Sequence, residues 1–338
     1  MDLNTAWFLL IGVLLTGYAV LDGFDLGVGV LHLFARSEEE RRLNLNAIGP
    51  VWDGNEVWLL TGGGALFAAF PVVYATVFSG FYLALVLVLL ALIFRAVSLE
   101  FRGKVEAPAW RRLWDWAFGL GSLVPAVVFG VAVGNILRGV PFDRDGNLAV
   151  SFVGLLNPYA LLIGALSLAT VVVHGAAYLT LKTDGDLRAR LGALAARLWM
   201  VFVALFAVSS VATRLAAPHL FSRALPSPLT WLFAALLVAA GFAFPLALRA
   251  ARFGRAFLAS SVAIVSVNGL AATALFPRLV PSLPDPAQSL TIYNASSTPR
   301  TLATMLVIAL VGMPLVIGYT AYIYRTFRGK TVIDGTSY

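Results

Sequence analysis

GYAVLDGFDLGVGV (residues 17–30) and GPVWDGNEVWLL (residues 49–60) place four acids, Asp22, Asp25, Asp53 and Glu56, inside two strongly apolar stretches. Carboxylates at membrane depth are costly and rarely persist there without a partner or a task. The apolar setting is not local. Of the 338 residues, 60% are hydrophobic and only 12% charged, against about 25% charged in an ordinary soluble domain, and the mean hydropathy is +0.87. The chain therefore reads as an all-α polytopic membrane protein, since a spanning helix takes roughly 20 apolar residues.

Working outward, nine apolar segments fall near 6–34, 46–70, 74–101, 115–137, 152–181, 191–215, 229–249, 255–277 and 301–327. Gly12, Gly17 and Asp22 interrupt the first, and no basic start precedes it, so it reads as a span and not as a cleaved leader. The connections at 35–45, 95–112, 182–197, 249–255 and 325–330 hold 18 of the 24 Lys and Arg residues. The remaining six are Arg138, Arg144, Arg214, Arg223, Arg278 and Arg300. By the positive-inside rule this split puts the N-terminus outside and the C-terminus in the cytoplasm, as an odd number of spans requires. It also accounts for the net charge of +7 without a nucleic-acid partner. The short connections favour antiparallel neighbours. Pro71 marks a tight outer turn; Pro125, Pro245 and Pro314 are expected to kink their helices. The segment from Arg278 to Arg300, with Pro281, Pro284 and Pro286, reads as the longest irregular stretch.

Asp22 and Asp25, three residues apart, lie about 60° apart on one helix face, and Asp53 and Glu56 repeat that spacing on the returning helix. With Arg95 and Glu100 near the inner end of the third span, ionisable groups of three consecutive helices converge at one depth. One reading has the acids pairing with Arg95 or capping broken helices, for packing alone. The other has them lining a hydrated proton or cation path from the cytoplasm, since carboxylates exchange protons and ligate hard cations. One arginine cannot neutralise four acids, which favours the path for Asp25 and Asp53. Asp22 and Glu56 lean toward packing, Arg95 toward a pairing partner, and Glu100 toward a mouth residue or a partner of Lys104.

Gly23, Gly27, Gly29 and Gly62 to Gly64 read as small residues that let membrane helices approach closely. Cysteine is absent, which excludes disulfides and thiolate chemistry. Only three histidines occur, His32, His174 and His219. Haem iron needs axial ligands facing into a bundle; His174 alone is placed for that, and a lone membrane histidine is more often structural. The tryptophans at 52, 58, 110, 114 and 116 fit interfacial anchoring, although Trp52, beside Asp53, also fits the wall of a path.

Several long stretches, in order, carry a resemblance: GYAVLDGFDLGVGVL at 17–31, GPVWDGNEVWLLTGGGALFAAFP at 49–71, FSGFYLAL at 78–85, FRAVSLEFR at 94–102, WDWAFGLGSLVPAVVFGVAVGN at 114–135, HGAAYLTLKT at 174–183 and SLTIYNASS at 289–297. On them the chain resembles subunit II, the haem-free subunit, of the cytochrome bd quinol oxidases of bacterial plasma (inner) membranes. The resemblance implies two four-helix bundles, here 1–140 and 150–278, and a peripheral helix at 300–328. It implies a partner, subunit I, that carries haems b558, b595 and d and the quinol site, and a complex that oxidises quinol and reduces dioxygen to water. A small single-helix subunit and a bound quinone or lipid are further expectations. Carried over residue by residue, a proton path would use Asp25, Asp53 and Glu100, with Trp52 and Arg95 beside them and Asp22 and Glu56 in support. A sodium ion at Asp25 and Asp53 is also implied. The rival from another class is a proton- or sodium-coupled transporter using the same acids, although no internal repeat of the transporter kind is evident.

Overall fold

In the computed structural model the described residues are 2–143, 146–283 and 285–333; Arg144 and Pro284, used above, lie outside them. The first span is α1 (Leu3–His32), opened by Asp2, whose carboxylate accepts the Thr5 amide proton at 2.7 Å. The expected second span, 46–70, divides. Residues Glu38–Ile48 form α2, capped by Ser37 and led by Glu38, Glu39 and Glu40, which suit the positive end of a helix dipole. Pro50 disfavours helix in the residue before it and donates no amide, so the spanning part restarts as α3 (Trp52–Ala69).

The expected third span also starts later. Pro71 opens a separate short helix, α4 (Pro71–Gly80), bent 119° from α3, and the return run is α5 (Tyr82–Phe101). Then follow α6 (Pro108–Arg138), the single turn α7 (Phe152–Leu155), α8 (Pro158–Lys182), α9 (Gly185–Ala216), the short α10 (Pro218–Ala224), α11 (Pro228–Arg249), α12 (Phe253–Leu275) and α13 (Pro299–Thr326). The fifth apolar segment thus begins at Pro158 and not at 152, because Asn157 caps α8 with Pro158 at its first position. Assigned helix runs without a break through Pro125, Pro245 and Pro314.

Among the described residues eight helices are individually long and apolar enough to cross a membrane, and the α3–α4 pair makes a ninth. Contacts show that α3 runs the full height. In its first turns Glu56 accepts from Arg95, which in turn holds Asp22. At its far end the Ala69 carbonyl accepts from the Ser297 amide at 2.8 Å. That is the level where Trp7 Nε1 donates to the Leu302 carbonyl at 2.9 Å.

The segment 278–300, expected to be irregular, contributes small sheets instead. Strand β1 (Val140–Pro141) pairs in parallel with β3 (Ser282–Leu283), and β2 (Arg278–Val280) pairs antiparallel with β4 (Leu290–Thr291). Their backbone groups are satisfied by one another, and Val280 and Ile292 help seal the apolar layer that also holds Trp7, Phe70 and Phe81.

Helix α8 is the centre: 67% of its most apolar window is inside the protein, against 6% for α13. The closeness of α1 and α8 explains two glycines. A Cβ on Gly27 would lie 1.9 Å from the Val171 carbonyl oxygen, and one on Gly175 would lie 2.6 Å from the Gly27 carbonyl carbon. Gly29 is equally tight, against Ser122, whereas Gly63 and Gly64 face open space. Close approach thus occurs at Gly27 and Gly29 of α1, while Gly23 meets Val171 at an ordinary 3.7 Å.

Candidate functional site

In the C-terminal half of α1, Asp22 and Asp25 are both fully buried, as is Arg95 of α5. Arg95 grips Asp22 with a two-pronged fork, Nη1 to Oδ2 at 3.0 Å and Nη2 to Oδ1 at 2.6 Å. Its Nη1 also donates to Glu56 Oε1 of α3 at 2.9 Å. The planar guanidinium suits such bidentate work, and in a dry setting the pair is strong only because several donors converge. Asp25 stands differently. Arg95 Nη2 is 4.0 Å from its Oδ2, and its nearer donor is neutral, Asn55 Nδ2 at 2.7 Å. The other oxygen, Oδ1, is buried and has no hydrogen-bond partner, as is Arg95 Nε. The Asn55 amide also donates to the Leu21 carbonyl at 3.1 Å and accepts from the Tyr324 hydroxyl of α13 at 2.9 Å.

Three acids thus share one arginine. Asp53 is not among them. It sits two residues from Asn55, about 200° around α3, and is exposed on the outward face. Trp52 is half-buried against the central apolar core. Glu100 is exposed at the end of α5, one turn and more beyond Arg95. The structure therefore joins Asp22, Asp25, Glu56 and Arg95, and does not bring Asp53 or Glu100 into that cluster. Asp25 is fully buried, whereas Asp53 is exposed. Among the described residues no group of three or more His, Asp or Glu side chains is arranged to hold a metal ion.

Sequence reasoning missed Asn55 and Tyr324. Asn55 sits in the WDGN run, but a neutral amide carries no charge signal, and Tyr324 lies 269 residues from its partner.

It also missed a second buried network at the inner end. Asp115 of α6 receives Arg102 Nε at 2.6 Å and Arg41 Nη1 at 3.2 Å, and pairs with His32 Nε2 at 2.6 Å. Arg102 continues to Glu38 at 2.8 Å. His174 of α8 is structural in its contacts. Nε2 meets the Val20 carbonyl at 2.9 Å, Nδ1 meets Ser260 Oγ at 2.7 Å, and the ring stacks on Phe257 at 4.6 Å. Both nitrogens are engaged within the chain, which leaves none for a haem iron. His219 lies in α10, where burial, and then the neighbouring Arg278 and Arg223, hold its imidazole below the ordinary histidine range.

A membrane helical fold with buried ion pairs suits several classes of protein, and comparison with known proteins separates them. The sequence profile of the family "Cytochrome bd terminal oxidase subunit II" matches residues 3–327. The chain is 40% identical to the cytochrome bd-I ubiquinol oxidase subunit 2 of Escherichia coli (strain K12), over 97% of this chain and 95% of that one. It is 39% identical to the cytochrome bd ubiquinol oxidase subunit 2 of Bacillus subtilis (strain 168), over 97% of each. In fold it is similar to a chain of the bd oxidase from Geobacillus thermodenitrificans, with a TM-score of 0.82 over 97% of this chain and 99% of that one, at 19% identity. Two relatives near 40% identity along almost their whole length, and a family profile spanning nearly every described residue, make the chain an integral membrane component of a quinol oxidase, a member of the cytochrome bd terminal oxidase subunit II family.

Proposed function

We propose that this chain supports a haem-bearing subunit I and supplies a route for protons from the cytoplasm toward the site where dioxygen is reduced to water. One observation carries the reading: Asp25 is fully buried, yet one carboxylate oxygen meets no donor. A buried acceptor without a partner costs roughly 1–3 kcal/mol, and both oxygens of the neighbouring Asp22 are met by Arg95. An acid left partly unsatisfied beside a paired arginine is suited to taking up and releasing a proton.

In this reading Asp22, Arg95 and Glu56 form the fixed wall and Asp25 is the exchanging group. Asp53, outward on α3, is where the route leaves the chain. A carboxylate exposed at that depth is poorly matched to lipid, so subunit I is its expected cover. Glu100 and Trp52 flank the route, Glu100 at its inner mouth. The segregation of basic connections supports an N-terminus outside and a C-terminus in the cytoplasm of a bacterial plasma membrane. Haems b558, b595 and d belong to subunit I, quinol is the reductant, and a small single-helix subunit completes the assembly. Residues 1–140 and 150–278 form the two bundles, with 300–328 peripheral.

The test is Asp25→Asn in the purified complex, followed by oxygen consumption with excess quinol and by the haem spectrum. Slow turnover with the haem spectrum retained is expected. Turnover at the wild-type rate would remove Asp25 from the route.

A further inference from the structure

Helix α13 is the most exposed of the spanning helices, with 6% of its apolar window buried, yet Tyr324 near its inner end reaches across to the acid cluster. The Tyr324 ring packs against the central core beside Phe24, but packing of the ring does not require its hydroxyl to meet Asn55. At the C-terminal end α13 and its tail are already held by four contacts. Lys182 Nζ donates to the Phe327 carbonyl at 2.7 Å, Lys330 Nζ to the Thr183 carbonyl at 2.6 Å and to Asp184 Oδ1 at 2.7 Å, and the Thr331 amide to the Lys182 carbonyl at 2.9 Å. At the outer end Trp7 ties down Leu302. The helix does not need the Tyr324 hydroxyl as a further anchor. The Tyr324 hydroxyl does something else: it donates at 2.9 Å to Asn55 Oδ1, and so decides which end of that amide faces Asp25.

The choice matters because an amide is two-faced, with two donors at one end and an acceptor at the other. With its oxygen held by Tyr324, Asn55 turns its NH2 to Asp25 Oδ2 at 2.7 Å and to the Leu21 carbonyl at 3.1 Å. The reversed amide would set an oxygen against both of those acceptors. We propose that Tyr324 is a positioning residue for the proton route: its hydroxyl fixes the Asn55 amide, and through it the Asp25 carboxyl, in the orientation for exchange. This rests on the reading of Asp25 given above.

The experiment uses the whole complex, comparing wild type with Tyr324→Phe, Asn55→Ala, the double variant and Asp25→Asn. Tyr324→Phe keeps the ring, which sits edge-on to Phe24 at 6.5 Å between centroids, and removes one hydrogen bond. Turnover is expected to fall about fivefold, the size of one neutral hydrogen bond, with the KM for quinol unchanged. The infrared carboxyl band that disappears in Asp25→Asn is expected to shift. Asn55→Ala should slow turnover at least as much, and Tyr324→Phe should then add nothing to it, because the two act in series. A helix anchor alone would leave the Asp25 band and the catalytic rate where they are; that result overturns the proposal while a slow Asp25→Asn keeps the route. Wild-type turnover in Asp25→Asn would instead overturn the route itself. If Tyr324→Phe does not assemble, Asn55→Ala decides by the same band and the same rate.

Discussion

The two buried charge networks are built from the same side chains in opposite proportion. Around Arg95, one cation serves Asp22, Glu56 and, at longer range, Asp25. Around Asp115, one carboxylate serves Arg102, Arg41 and His32, and Arg102 passes the excess to Glu38. The second network lies where α1 ends and α6 begins, next to the loops, and ties four segments into one clamp. The first lies deeper, and it leaves an acid oxygen over. In the second network two arginines, Arg102 and Arg41, meet two acids, Asp115 and Glu38, whereas the first sets three acids against one arginine, the imbalance from which the proposed route starts.

The sharpest way to break this contrast is Arg95→Met. It leaves Asp22 and Glu56 without their counterion, and breaking a buried pair from one side costs ~3–5 kcal/mol. The haem-bearing complex is expected to be lost from the membrane. Recovery of the variant at normal yield and melting temperature would show that the acids do not need their arginine. Asp115→Asn is expected to cost ~2 kcal/mol, the scale of a charge-assisted hydrogen-bond set. The melting temperature should drop while turnover per haem is kept. A catalytic defect there would erase the distinction between clamp and route.

Asp53→Asn removes no ion pair among the described residues. The expectation is slower oxygen consumption with the haem spectrum largely kept, and wild-type turnover would take Asp53 off the route. The smallest effect belongs to Glu40, which binds Arg190 at 2.5 Å and joins α2 to α9. Burial works to raise its carboxyl. Hydrogen bonds from Arg190 and the Arg36 amide, and the charges of both, outweigh it and hold the group below its usual 4.5. A depressed carboxyl stabilises the fold above its unfolded value and ceases to as pH falls through the folded one. Glu40→Gln should therefore lower stability at neutral pH by ~0.5 kcal/mol, measured by thermal unfolding. The difference from wild type should fade below about pH 4. A difference that persists at acid pH would assign the loss to packing.

Much of this architecture is legible in the chain. The number of spans follows from apolar runs and from which connections carry arginine, and the depth shared by Asp22, Glu56 and Arg95 follows from topology. What is not legible is pairing. Nothing in the spacing of Asp22 and Asp25 says that the first takes both prongs of Arg95 while the second is left with an amide, because that depends on how far α5 is rotated. Asn55 and Tyr324 acquire meaning only when α13, at the other end of the sequence, is laid beside α3. The split of the second span at Pro50 and of the third at Phe81 was available in principle, since proline and a Gly-aromatic junction are local signals. The long apolar runs masked them.

The backbone contact of Gly27 with Val171 and Gly175 has a mechanical consequence. At Gly27 the backbone of the helix that carries both buried aspartates meets the backbone of the most deeply buried helix directly, so rolling or sliding there would bring a carbonyl collision. The helix behaves as a stator. On the proposed route, charge movement past it would be carried by side chains and solvent and not by a rocking helix. A single methyl group at position 27 would prise that post away from its support and shift the acids relative to Arg95.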